Sequence, residues 1–189
     1  MIHSPRFTVI LDACVLYPAP VRDLLLHLAA VELYKPKWTD TIQHEWIRNL
    51  LQNRPDITVG QLQKTVDSMN TAFPDANVER YEALVSSFTL PDPDDRHILA
   101  AAIRCQAELI VTSNTKDFPN SYLREFDIEA QHPDVFISNV IDLNPTESIR
   151  AFKQQVSYLR NPSKTYLQVL ATLEKCGLPL TSKRLLALL

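Results

Sequence analysis

LPDPDDRHILAAAIRCQAELIVTSNTKDFP, residues 90–119, decides the class of fold. Two prolines and three aspartates precede an uninterrupted helical pattern, and carboxylates in a first turn complement the helix dipole. AELIVTSN then reads as a strand apolar on both faces, the mark of a buried parallel strand. Working outward, RFTVIL at Arg6–Leu11 has the same character and ends at Asp12. Pro20 opens a helix with apolar Val21, Leu24, Leu25, Leu28 and Val31, and a short strand is expected near Leu33–Trp38. Thr39 caps a helix with Ile42, Trp46, Ile47, Leu50 and Leu51 on its buried side. Further helices are predicted from Thr58 and over Val78–Phe88, and a last strand at IEAQ. Strands alternating with helices give an α/β class with a parallel sheet. Pro133 starts another helix. Residues 144–160, 164–176 and 181–189 then read as three helices without strands between them, a helical appendage over 144–189.

Composition closes several routes. The only glycines among the 189 residues are Gly60 and Gly177. They are too few and too far apart for a P-loop, a dinucleotide-binding turn or a nucleophile elbow. The net charge of −3 provides no global cationic field for nucleic acid or membrane, although a local patch remains open. Cys14, Cys105 and Cys176 form no CxxC pair and read as small core residues in a cytoplasmic protein. No apolar run reaches membrane-spanning length. Asp12 interrupts the apolar start, so a signal peptide is not expected.

The carboxylates fall where such a sheet binds ligands. Asp12 ends the first strand. Asp94 and Asp95 begin the helix leading to the next core strand, and Asn114 and Asp117 lie just beyond that strand. Strand ends and helix starts share one rim. Glu45, mid-helix beside Trp46, falls near the boundary of the buried stripe and needs a partner there, a metal ion being one candidate. Acids crowded on one edge require protonation, cationic partners or metal. Oxygen-only ligand sets suit Mg²⁺ or Mn²⁺, which activate water and stabilise in-line displacement at phosphorus. Each residue alone also fits a plain role: Asp12 in a turn, Asp92, Asp94 and Asp95 as caps, Glu45 in a salt bridge. Their shared edge points to a metal-dependent phosphodiesterase.

VILDACVLYP (9–18), HEW (44–46), PDPDDRHILAAAI (91–103) and IVTSNTKDFP (110–119), in this order, resemble the PIN domain, the metal-dependent ribonuclease fold of VapC-type toxins. The likeness covers residues 5–140, in the branch with a helical C-terminal extension. It implies an α/β/α sandwich around a parallel sheet, with Mg²⁺ or Mn²⁺ as cofactor. It implies that Asp12 is the first acid and a direct ligand, Glu45 the second, and Asp94 or Asp95 the third. Spacing to Ile98 favours Asp95. Asn114 stands where many members carry Asp, a departure that weakens a second metal position, with Asp117 as a further acid. The catalytic set is then Asp12, Glu45, Asp95 and Asp117, and the ligand set adds Asp94 and Asn114. Thr112 and Ser113 flank the site. Arg96 is left between a phosphate contact and a pair with Asp92, and His97 is assigned a salt bridge or a surface position.

Setting aside Asp12, Glu45, Asp94, Asp95 and Asp117 leaves a net charge of +2. Arg6, Lys35, Lys37, Arg48, Arg54 and Lys116 are the candidates for backbone contacts with RNA. The resemblance implies an RNA substrate, with tRNA and rRNA as candidate classes, a cognate antitoxin, a homodimer and no membrane. Leu167, Leu170 and Leu173 mark an internal stripe of the extension, and the terminal LLALL calls for contact with something. Two other readings stand beside this one. A haloacid-dehalogenase phosphatase needs a second Asp where Cys14 stands. A PIN-like scaffold with weak catalysis would take Asn114 as its symptom.

Overall fold

The computed structural model describes residues 7–189; Arg6, expected to open the first strand and to contact RNA, lies outside them. The chain runs β1 (Thr8–Leu11), α1 (Ala13–Leu16), α2 (Ala19–Ala30), β2 (Lys35–Lys37), α3 (Asp40–Asn53), α4 (Val59–Ala72) and α5 (Glu82–Val85). It continues through α6 (Arg96–Arg104), β3 (Leu109–Val111), α7 (Asn120–Leu123) and β4 (Glu129–Gln131), then α8 (Pro133–Leu143), α9 (Pro145–Tyr158), α10 (Tyr166–Lys175) and α11 (Pro179–Ala187). The four strands form one parallel sheet in the order β2-β1-β3-β4. Val9, Ile10 and Leu11 are all fully buried. Successive strand residues face opposite sides, so both faces of the sheet are covered. The architecture is the α/β/α sandwich with C-terminal helices expected from the sequence.

Local signals set the elements. The side chains of Thr39, Thr58 and Thr165 cap α3, α4 and α10, accepting from Ile42, Gln61 and Gln168 N–H. Gly177, at φ 87°, ends α10: its N–H bonds the Glu174 carbonyl and that of Leu178 bonds Leu173. The helix expected over Val78–Phe88 contracts to Glu82–Val85. The backbone at 76–78 is used instead beside Trp38, which donates to the Ala76 carbonyl and accepts from Val78 N–H. Leu170 and Leu173 are buried as expected, but Leu167 is exposed, because the inward face of α10 is set by Val169, Leu170 and Leu173. Within LLALL, Leu185 is buried, while Leu186, Leu188 and Leu189 remain exposed.

The extension shares the hydrophobic core of the sheet domain. Gln155 of α9 is buried and donates to the Pro20 carbonyl at the start of α2, 3.0 Å away. Asp134, near the start of α8, accepts from Leu180 N–H at 3.0 Å and Thr181 N–H at 2.8 Å. These donors belong to the first turn of α11, which no earlier residue of that helix can satisfy. Arg184 binds Ser138 and Asp142 farther along, so α8 and α11 run side by side in the same direction.

Asp134→Ala should leave two first-turn donors unpaired and cost about 3 kcal/mol. Thermal unfolding should show a Tm lower by roughly 6–12 °C, with Asp134→Asn intermediate.

Candidate active site

The register of β1 against β3 pairs Leu11 with Val111, so the next residues, Asp12 and Thr112, meet side by side at the strand ends. Asp12 N–H donates to the Val111 carbonyl at 3.1 Å. Only 6% of Asp12 is exposed, and its carboxylate accepts two hydrogen bonds on one oxygen. The Thr112 hydroxyl donates to Oδ2 at 2.6 Å, and the Cys14 thiol donates to the same Oδ2 at 3.0 Å. Thr112 Oγ1 in turn accepts from Asn114 N–H at 3.0 Å, and Cys14 Sγ accepts from Ser113 N–H at 3.2 Å. Cys14 is therefore not the apolar core residue expected: it is half-buried within the polar network. Burial and the adjacent Asp12 carboxylate push its thiol up to about 12, so it stays protonated and acts as a donor. All three cysteines are free.

The turn Pro93–Asp95 sets the two candidates for the third acid apart. Asp92 caps it, its Oδ1 accepting from Asp94 N–H at 2.9 Å. Asp94 is left exposed, and Asp95 turns inward. Asp92 is thus engaged by the turn, while Arg96 Nε is buried without a hydrogen-bond partner; the Arg96–Asp92 pair considered from the sequence does not form. Burial first, then the charges of Asp12, Asp92 and Asp117, push the Asp95 carboxyl up to about 7. The charges of Asp12, Asp92 and Asp117 therefore all reach Asp95. Asp117 is half-buried in the turn Thr115–Asp117, whereas Ser113 and Asn114 are exposed.

Glu45 is engaged by a residue of α6. Trp46 is fully buried and donates to Gln43 of the same helix at 2.6 Å, and its burial leaves Glu45 at the boundary of the buried face of α3. Arg22 lies 4.6 Å over the Trp46 ring and donates to the Leu16 carbonyl, tying α3 to α2 and α1. Glu45 Oε1 is 3.1 Å from His97 Nε2, so the partner it required is His97, on α6. His97 Nδ1 is buried and unpartnered. Of the salt bridge or surface position expected for His97, the salt bridge forms, and its partner is Glu45.

The rim is thus acidic and oxygen-rich, which matches a hard divalent cation. Asp95 keeps its proton toward neutrality first because burial disfavours its charge and then because the neighbouring carboxylates repel it. The acids are not drawn into a ready-made cage: among the described residues, no three His, Cys, Asp or Glu side chains converge as a ligand group. Among the described residues, no helix is long and apolar enough to cross a membrane.

Comparison with known proteins meets the resemblance from the other end of the chain. Residues 133–187, from α8 through α11, match the family model of the VapC50 C-terminal domain. A protein of Mycobacterium tuberculosis named "Putative ribonuclease VapC50" is 53% identical over 49 residues, 26% of this chain and 29% of that protein. The aligned stretch thus spans less than a third of the relative. No solved structure gives a significant match. The resemblance to VapC-type PIN proteins with a helical C-terminal extension is borne out.

The raised Asp95 carboxyl fixes the sign of a pH effect. The folded state keeps a proton that the unfolded chain has lost, so stability is greatest below the ordinary aspartate range and declines as pH rises through about 7. In chelator, Asp95→Asn should raise Tm relative to the unsubstituted protein at about pH 8 and leave it nearly unchanged at about pH 4. Thermal melts at the two pH values check this.

Proposed function

We propose that this chain is a VapC-type endoribonuclease that hydrolyses RNA phosphodiester bonds with Mg²⁺ or Mn²⁺. The observation that carries the reading is an acidic rim at which Asp95, in the turn before α6, is held protonated toward neutrality by burial and by the charges of Asp12 and Asp117 beyond the ends of β1 and β3. The relative's name and the matched C-terminal family support it. When bound, the cation supplies Lewis acidity, an activated water and neutralisation of charge developing on a phosphoryl oxygen.

The residues of the chain divide the remaining work. Asp12, Asp95 and Asp117 would hold the cation, with Glu45 joining them on release from His97. Asp94 and Asn114, both exposed, are the outer candidates, and Asn114 brings an amide oxygen without charge. Thr112 and Cys14 hold the Asp12 carboxylate in place, and the Ser113 N–H anchors the thiol. Once deprotonated, Asp95 accepts a proton at its carboxylate as attack proceeds. Lys116, exposed beside Asp117, is placed to meet a phosphate of the RNA backbone. Arg96 supports the same rim from the start of α6.

The organisation that fits this reading is a nuclease unit over residues 5–140 carrying a helical extension over 144–189. A cytoplasmic location, a cognate antitoxin and a homodimer belong to the same proposal. The exposed Leu186, Leu188 and Leu189 offer one apolar surface for such contacts. A scaffold without efficient catalysis is the second reading, favoured by the Glu45–His97 pair and the uncharged Asn114.

Purified protein should cut a mixed pool of structured tRNA and rRNA fragments with Mn²⁺. Cutting should stop with EDTA and fall by at least about 10²-fold in Asp12→Asn, roughly 2.7 kcal/mol of barrier. No cutting, together with no Mn²⁺ binding by calorimetry, would favour the scaffold. Cutting equal in protein and variant would mark a contaminating nuclease.

A further inference from the structure

The Asp12 carboxylate receives two donors, and both fall on the same oxygen. The Thr112 hydroxyl approaches Oδ2 at 2.6 Å from β3, and the Cys14 thiol approaches it at 3.0 Å from α1. Cys14 is held in turn, because Sγ accepts from Ser113 N–H at 3.2 Å and lies 3.4 Å from Thr112 Oγ1. The thiol thus bridges the end of β1 to the loop after β3, residues about a hundred positions apart in the chain. A carboxylate fixed through one oxygen presents the other along a defined direction. Partners of this kind orient the groups that bind a metal and are nearly as consequential as the ligands themselves.

We propose that Cys14 is a positioning residue for Asp12: with Thr112 it fixes Oδ2 and leaves Oδ1 as the oxygen offered to a divalent cation. This rests on the reading of Asp12 as a ligand. Cys14 touches neither substrate nor cation; it acts through the orientation of Asp12. A serine can still donate to Oδ2 and accept from Ser113, although its shorter bond reaches less far. An alanine can do neither.

Calorimetric titration of the metal-free protein with Mn²⁺ tests this. Cys14→Ala should weaken binding by about tenfold or more, and Cys14→Ser should stay within about threefold of the unsubstituted protein. The metal-free melting temperatures of both variants should remain within about 4 °C of it, roughly 1–2 kcal/mol for a chain of this size. Equal affinity in all three proteins, or an equal loss in both variants, overturns the proposal. Asp12→Ala, titrated alongside, should abolish binding. If the unsubstituted protein binds no Mn²⁺, or Asp12→Ala binds as well as it does, the ligand reading itself fails, and the assignment of Cys14 falls with it.

A second readout needs neither metal nor a folded Cys14→Ala protein. The S–H stretching band of Cys14 should lie at lower frequency than those of Cys105 and Cys176, and should move up in Asp12→Ala. A band that does not move overturns the proposal.

Discussion

A carboxylate that is almost wholly buried is tolerated only when donors replace the water it has lost, and Asp12 sets that condition for the strand ends. The donors come from outside its own strand. Thr112 is brought alongside by the register of β1 and β3, and Cys14 by the first turn of α1. A one-residue slip between these strands would turn Thr112 to the other face and leave the charge unpaired. The sheet and the site are therefore held by the same register.

Around that point the charges balance unevenly. Asp12 has two donors, Asp95 has burial and like charges, and Glu45 has His97. The inner acids are left with a cost of burial and repulsion that a proton on Asp95 relieves. His97 draws Glu45 toward the start of α6 and so ties α3 to the turn that carries Asp95. Arg22, packed on Trp46, secures the other side of α3.

The helical extension is joined by polar contacts as well as by apolar burial. Asp134 satisfies the first turn of α11, and Gln155 reaches the start of α2. The Asp134 contacts fix orientation, because the alternatives leave the first-turn donors of α11 unpaired, while Gln155 is held through its amide N–H alone. The extension therefore has one defined seat against the sheet domain, with α8 continuing from the last strand into it.

The chain's local pattern determined the alternation of strands and helices, the parallel sheet, most of the caps and the order of the acids. These follow from apolar periodicity and from residues within a turn of one another. The extent of α5 was not legible, because the backbone at 76–78 answers to Trp38 rather than to its neighbours in sequence. Nor was the inward turn of Asp95 over Asp94, since adjacent carboxylates differ only by the rotation of one short turn. The pairing of Glu45 with His97 and the polar role of Cys14 depend on contacts across 52 and about a hundred positions. Only the tertiary structure decides such contacts, because strand register and helix packing, rather than local propensity, bring those atoms within hydrogen-bond distance.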